Sequence, residues 1–181
     1  MGELMDKSIV RVELIERLEK LSEVEKGKIE KRLVEKLLAH SWWENASTIG
    51  LTLAQALEID TKPLIKAAWQ SDKKVVVPRT KKAGQMDFVY YTPETKMERS
   101  SFGILEPIKS LPAVPKEQIQ LLIVPGVGFN SAGYRIGFGA GYYDRYLADY
   151  QGKTISLALP QQLTNDWTVD SYDIPVQLIL T

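Results

Sequence analysis

Between Leu121 and Leu147 the chain reads LLIVPGVGFNSAGYRIGFGAGYYDRYL, with glycine at positions 126, 128, 133, 137, 139 and 141. Glycine at this density lets several backbone N–H groups approach one ligand without side-chain obstruction, and phosphate is the ligand such a loop suits. Arg135 places a cation inside the loop. From Gly141 onward Tyr143, Tyr146 and Leu147 recur at helical spacing, so the loop would deliver an anion to a helix start with Asp144 in its first turn. Two common phosphate motifs are excluded by the letters. No Gly-Lys-Ser/Thr triplet follows the glycines, and Gly137, Gly139 and Gly141 spell GxGxG rather than GxGxxG. A plainer reading stands beside this one: a tight turn, aromatic residues serving the core, and Asp144 and Arg145 as solvated helix charges. Lys7 and Arg11, four apart, share one helix face and suit either a polyphosphate or solvent.

The rest of the inventory narrows the chemistry. With no cysteine, thiolate nucleophiles, Cys-based zinc sites and disulfides are all absent, in keeping with a reducing cytoplasm. The single histidine, His40, has no acidic or Cys companions for a metal and reads as a structural residue at a helix C-terminus. Lys+Arg and Asp+Glu both total 23, so no global field draws the chain to nucleic acid or to an anionic membrane surface. No apolar run is long enough to span a bilayer and no signal-peptide core opens the chain. These features predict a soluble protein of the cytoplasm. Its 181 residues suit one domain, 1–181, with a substantial core.

Elements that could position the loop follow from pattern. Residues 4–21 predict an amphipathic helix presenting Ile9, Val12, Leu14, Ile15, Leu18 and Leu21. Ser22-Glu23-Val24-Glu25 is a capping box for a second helix through about Leu38, with Ile29, Leu33, Val34 and Leu37 inward. Residues 46–53 predict a strand, Thr61 with Pro63 a helix through Trp69, and residues 74–77 a strand stopped by Pro78. Residues 86–91 form a third strand and residues 109–120 a linker. The apolar run Leu121-Leu122-Ile123-Val124, closed by Pro125-Gly126, has the composition of a buried parallel strand. Residues 154–159 and 177–180 complete the strands.

The whole string from residue 121, a strand followed by PG-x-G-F, G-x-R-x-G-x-G-x-G and YYDRYL, closely resembles the signature of the 5-formyltetrahydrofolate cyclo-ligases, or methenyltetrahydrofolate synthetases. Separated pieces in family order extend the resemblance from Lys7 to Thr181. The resemblance implies a three-layer α/β/α sandwich with a mainly parallel sheet, of the NagB/RpiA/CoA-transferase-like type. It also implies that Lys7 and Arg11 reach ATP, together with Arg135, Ile136, Gly137, Phe138, Gly139, Ala140, Gly141, Tyr142 and Tyr143. On the folate side it implies Leu53 and Glu58 from a segment resembling Glu-x-x-Thr, Met86, Phe102 within SFGILEP, whose other residues would shape a loop, and Phe138 through Tyr142. Arg135 and Tyr142 carry over as catalytic residues. Asp144, joined by Asp173 at the start of the last strand, would hold Mg2+ with ATP as co-substrate.

Three letters depart from common family choices: Asn130, Phe138 and Ala140. Ala140 removes a cation, leaving open which residue compensates, and whether Arg79, in a piece resembling the family's apolar-Pro-Arg element, touches phosphate. The implied reaction is ATP-dependent cyclisation of 5-formyltetrahydrofolate to 5,10-methenyltetrahydrofolate, with ADP and phosphate released through a phosphorylated formyl group. Phosphoryl transfer needs positioning and charge neutralisation more than a protein nucleophile, which suits a chain of Gly, Arg and Asp without Cys. ATP and a reduced folate would be the partners of a monomer, with neither nucleic acid nor membrane involved. Two alternatives stay open on sequence: a folate or nucleotide binder without turnover, and ATP-dependent activation of another small acid or amide.

Overall fold

The computed structural model describes residues 4–181, so the first residues read for a leader lie outside the described part. Helix α1 (Lys7–Glu19) starts where the Asp6 carboxylate accepts the Ser8 N–H at 2.7 Å. It is shorter than residues 4–21. The helix buries Val10, Leu14 and Leu18, whereas Ile9 and Val12, expected inside, are 52% and 57% exposed. Val10, Leu14 and Leu18 recur every four residues and form the buried stripe of this helix. Helix α2 (Glu23–Leu38) opens on the expected capping box and buries Leu33 and Leu37. His40 does not end that helix. It is the N-cap of a further short helix, α3 (Ser41–Asn45), where its Nδ1 accepts the Trp42 N–H at 3.1 Å.

Strand β1 (Thr48–Gly50) is followed by α4 (Lys62–Gln70), β2 (Lys74–Thr80) and β3 (Met86–Tyr90). Pro78 does not stop β2. Beyond Val76 that strand has left β1 and pairs with β3 alone, so a residue lacking an N–H is tolerated on the free edge. Strands β4 (Met97–Arg99) and β5 (Leu105–Pro107) form an antiparallel hairpin where the sequence suggested a loop. Polar Glu98 and Arg99 gave no apolar alternation to announce it. Then come β6 (Leu121–Ile123), the two-residue pair β7 (Gly128–Phe129) and β8 (Arg135–Ile136), α5 (Tyr142–Leu147), β9 (Lys153–Leu157) and β10 (Leu178–Leu180).

The main sheet runs β10-β9-β6-β1-β2-β3, parallel except where β3 returns beside β2. Its strands are short, yet apolar on both faces. Ile49, Leu51, Val75, Val77, Leu121 and Ile123 point to one side, where they meet Leu33 and Leu37 of α2 and Leu64, Ile65 and Ala68 of α4. Val76, Phe88, Leu122 and Val124 point to the other, against Tyr146 and Leu147 of α5 and Tyr150. This is the three-layer α/β/α arrangement, with one layer reduced to a six-residue helix and its flanking loops. A third cluster, Val10, Leu14, Val127, Ile136 and Trp167, fastens α1 to the β7–β8 pair.

Candidate active site

From β1 the chain moves to β2 on one side, while from β6 it moves to β9 on the other. Between β1 and β6 the winding reverses, and outside the strand C-termini at such a point a crevice opens that binds ligands in α/β sheets. Here it is a cavity of about 610 Å³ bordered by Thr52 and Leu53 after β1 and by Pro125 and Gly126 after β6. Every residue predicted for the site reaches it. Lys7 and Arg11 come from α1, Leu53 and Glu58 from the loop before α4, Met86 from β3, Phe102 from the tip of the β4–β5 hairpin, residues 135–144 from β8 through α5, and Asp173 from the segment before β10.

The apolar lining of this cavity comes from Leu53, Val77, Pro78, Met86, Phe102, Ile104 and Leu105. Much of its charged lining is paired within itself. Arg135, 7% exposed, donates through Nη2 to Asp144 Oδ1 at 3.2 Å and through Nη1 to the Ile174 carbonyl at 2.9 Å. The same Asp144 oxygen accepts the Ile174 N–H at 3.0 Å. Burial pulls the Arg135 guanidinium below its usual range, and the Asp144 charge opposes that. Lys7 donates to Asp170 Oδ2 at 2.7 Å and also to Asp173, whose Oδ2 accepts the Asp170 N–H at 2.7 Å. Burial works against the Lys7 charge, but its bonds to Asp170 and Asp173 outweigh this and raise it above the ordinary lysine value. Arg11 Nε donates to the Gly137 carbonyl at 2.6 Å, fixing the glycine loop against α1.

Gly139 at φ 103° and Gly141 at φ 69° occupy left-handed backbone that other residues rarely adopt, and Gly141 is the N-cap of α5. Near Ala140, Arg145 donates through Nη1 to the Ala140 carbonyl at 2.6 Å and the Gly84 carbonyl at 3.4 Å, which braces the glycine loop. Arg79 plays no part in the cavity. It grips Asp87 at 2.9 and 3.1 Å and the carbonyls of Ile108 and Leu111, both at 2.8 Å, so it fastens the 108–111 segment to the sheet. Asp173 lies ahead of β10 and not at its start. Glu58 Oε2 accepts the Gln55 N–H at 2.7 Å, and burial raises its carboxyl above the usual range against that bond and Lys26. Tyr143 sits with the Arg135 guanidinium 5.7 Å from its ring centre, and burial pushes its hydroxyl upward.

Neither Asp144 Oδ2 nor Asp173 Oδ1 has a hydrogen-bond partner among the described residues. Two unengaged carboxylate oxygens on one cavity, without a third carboxylate completing a cage, suit a hard cation that keeps water and phosphate ligands. Sequence reasoning passed over Thr52, Thr80, Ile104, Glu106, Asp170 and Tyr172, which also line the cavity. Glu106 stood inside the SFGILEP piece as a loop-shaping residue, and Asp170 is one of several acids near Asp173.

A mainly parallel α/β sheet whose switch point opens into a cavity lined by apolar residues, paired charges and a glycine loop has the build of an enzyme acting on small molecules. Comparison with known proteins narrows it. The model of the 5-formyltetrahydrofolate cyclo-ligase family matches residues 3–181, and the chain belongs to that family. It is 29% identical to the 5-formyltetrahydrofolate cyclo-ligase of Mus musculus, over 94% of this chain and 91% of that one. It is 32% identical to that of Escherichia coli (strain K12), over 75% and 78%. Among solved structures, the 5,10-methenyltetrahydrofolate synthetase of Aquifex aeolicus superposes with a TM-score of 0.83 at 28% identity, covering 97% of this chain and 89% of that one. That of Mycoplasma pneumoniae gives 0.79 at 26%, covering 97% and 98%.

Proposed function

We propose that this chain, acting as one domain, closes 5-formyltetrahydrofolate to 5,10-methenyltetrahydrofolate at the expense of ATP. The observation that carries this reading is the make-up of the cavity: apolar residues suited to a pterin line the same space as Arg135, Lys7, Arg11 and the glycine loop. A formyl oxygen is a poor leaving group. Phosphorylation by ATP converts it into an iminium phosphate, which a neighbouring folate nitrogen attacks before phosphate departs. The protein's part is to place the two substrates and spread the phosphate charge.

Arg135 lines the cavity and is held in place by Asp144 and the Ile174 carbonyl, so it is fixed in advance to meet the transferred phosphoryl group. Tyr142, at the first position of α5, lies at the junction of the two substrates. Lys7 and Arg11 receive the outer phosphates. Leu53, Met86, Phe102 and the backbone of residues 138–141 flank the pterin, whose amino and ring N–H donors Glu58 accepts. Asp144 and Asp173 would hold Mg2+, which supplies charge neutralisation to the phosphates when bound. Among the described residues no helix is long and apolar enough to cross a membrane; we assign the protein to the cytoplasm, as a monomer acting on small molecules. The test is to mix purified protein with magnesium-ATP and 5-formyltetrahydrofolate and follow the near-ultraviolet absorption of the methenyl product. Appearance that requires all three components is expected. Binding of both substrates without that absorption would leave only a folate and nucleotide binder.

A further inference from the structure

Glu106 of β5 is 7% exposed, lines the cavity and has no cation within salt-bridge distance among the described residues. Its donors all come from Thr80 on β2. Oε1 accepts the Thr80 N–H at 3.1 Å and its hydroxyl at 2.8 Å, and Oε2 lies 3.0 Å from that hydroxyl. A threonine hydroxyl carries one proton, so two donors serve the roughly four lone-pair positions of the carboxylate. A buried, unpaired and under-satisfied carboxylate is costly to maintain, which directs attention to what it does when the cavity fills.

The reaction proposed above releases one proton that nothing so far has received. As the folate amine N10 attacks the activated formyl carbon, the N–C bond forms and the nitrogen becomes positively charged with its hydrogen still attached. Loss of that proton returns the electron pair to nitrogen, and the C–O bond then breaks with phosphate taking its electrons. The cavity contains no histidine. Asp144 and Asp173 are assigned to the metal through their unengaged oxygens, Asp170 holds Lys7, and Glu58 is assigned to the pterin edge. We infer that Glu106 is the base that takes the N10 proton, a catalytic residue beside Ile104 and Leu105 in the cavity lining, and passes it to solvent when product leaves. This inference rests on the cyclo-ligase reading.

Glu106→Gln is the first test, because its amide oxygen still accepts both Thr80 donors and keeps the hairpin anchored. Rapid-mixing kinetics should show ADP formation in the first turnover at the wild-type rate. Methenyl formation should slow by about a hundredfold, the usual range for losing one general base. Glu106→Gly opens space for a small carboxylate, and added formate should restore methenyl formation in it. Thr80→Val, which removes the shared hydroxyl but not the carboxylate, should slow methenyl formation far less than Glu106→Gln. Methenyl formation at the wild-type rate in Glu106→Gln would mean that the proton leaves by way of phosphate or water, and would overturn the assignment. Equal slowing of ADP and methenyl formation, with no rescue by formate, would reduce Glu106 to a structural anchor and overturn it too. Failure of the cyclo-ligase reading is separate, since it appears as absence of methenyl product from the wild type.

Discussion

At the scale of single residues, the site consists of charges that arrive already paired. Asp144 both neutralises Arg135 and receives the Ile174 N–H through one oxygen, leaving the other unengaged. Asp144→Asn is therefore a better probe than Asp144→Ala: it preserves an acceptor for Arg135 while removing the charge a metal needs. Turnover at saturating magnesium-ATP should fall by about a hundredfold or more, with the thermal midpoint near wild type; wild-type turnover would refute the metal role. Changing Lys7 and Arg11 together to Gln should weaken ATP binding in calorimetric titration and leave folate binding in place. If ATP affinity is unaltered, the pair serves only to tie α1 to Asp173 and the Gly137 carbonyl. Glu58→Gln turns one acceptor into a donor facing donors, which should cost about 1–3 kcal/mol in folate binding with ATP binding unaffected. Unchanged folate titration would return Glu58 to its local turn with Gln55. Arg135, Asp144 and the glycines were legible because the whole string from residue 121 resembles a family signature; their spacing alone left a plain turn open. Glu106 and Asp170 were not, since an acid looks the same in sequence whether it faces solvent or a cavity.

At the scale of elements, legibility followed the strength of the local signal. The capping box at Ser22 and the run from Leu121 each stated its own structure, and both elements formed where expected. The β4–β5 hairpin and the His40 cap are set by tertiary contacts and turn geometry that periodicity does not encode. Pro78 misled for a related reason: whether a proline ends a strand depends on which edge is free, a property of the sheet. The strands around the cavity also depend on close approach. A Cβ at Gly50 would collide with Leu122 and stand 3.2 Å from the Phe88 ring, both in the core beneath the site. Gly50→Val should thus lower stability by about 1–3 kcal/mol, the ordinary cost of overpacking. Urea unfolding checks this, and a wild-type midpoint would mean that β1 has room to shift.

For the whole molecule, the order of the sheet explains why residues from Lys7 to Asp173 meet. Parallel strands that wind outward in both directions from β1 and β6 bring the loops leaving their C-terminal ends to one end, and α1 packs beside that end through Val10 and Leu14. The three-layer fold was implied by the family resemblance, and the β-α-β punctuation of residues 46–77 agreed with it. That these loops close on one cavity at a switch point is recorded by no local pattern. The central claim is that the folate and nucleotide residues proposed for this cavity serve one reaction, in which ATP activates the formyl oxygen itself. Turnover of 5-formyltetrahydrofolate labelled with oxygen-18 in the formyl group, followed by mass spectrometry of the released phosphate, tests this directly. The account predicts one labelled oxygen in each phosphate released; phosphate free of label, with methenyl product still formed, would contradict it.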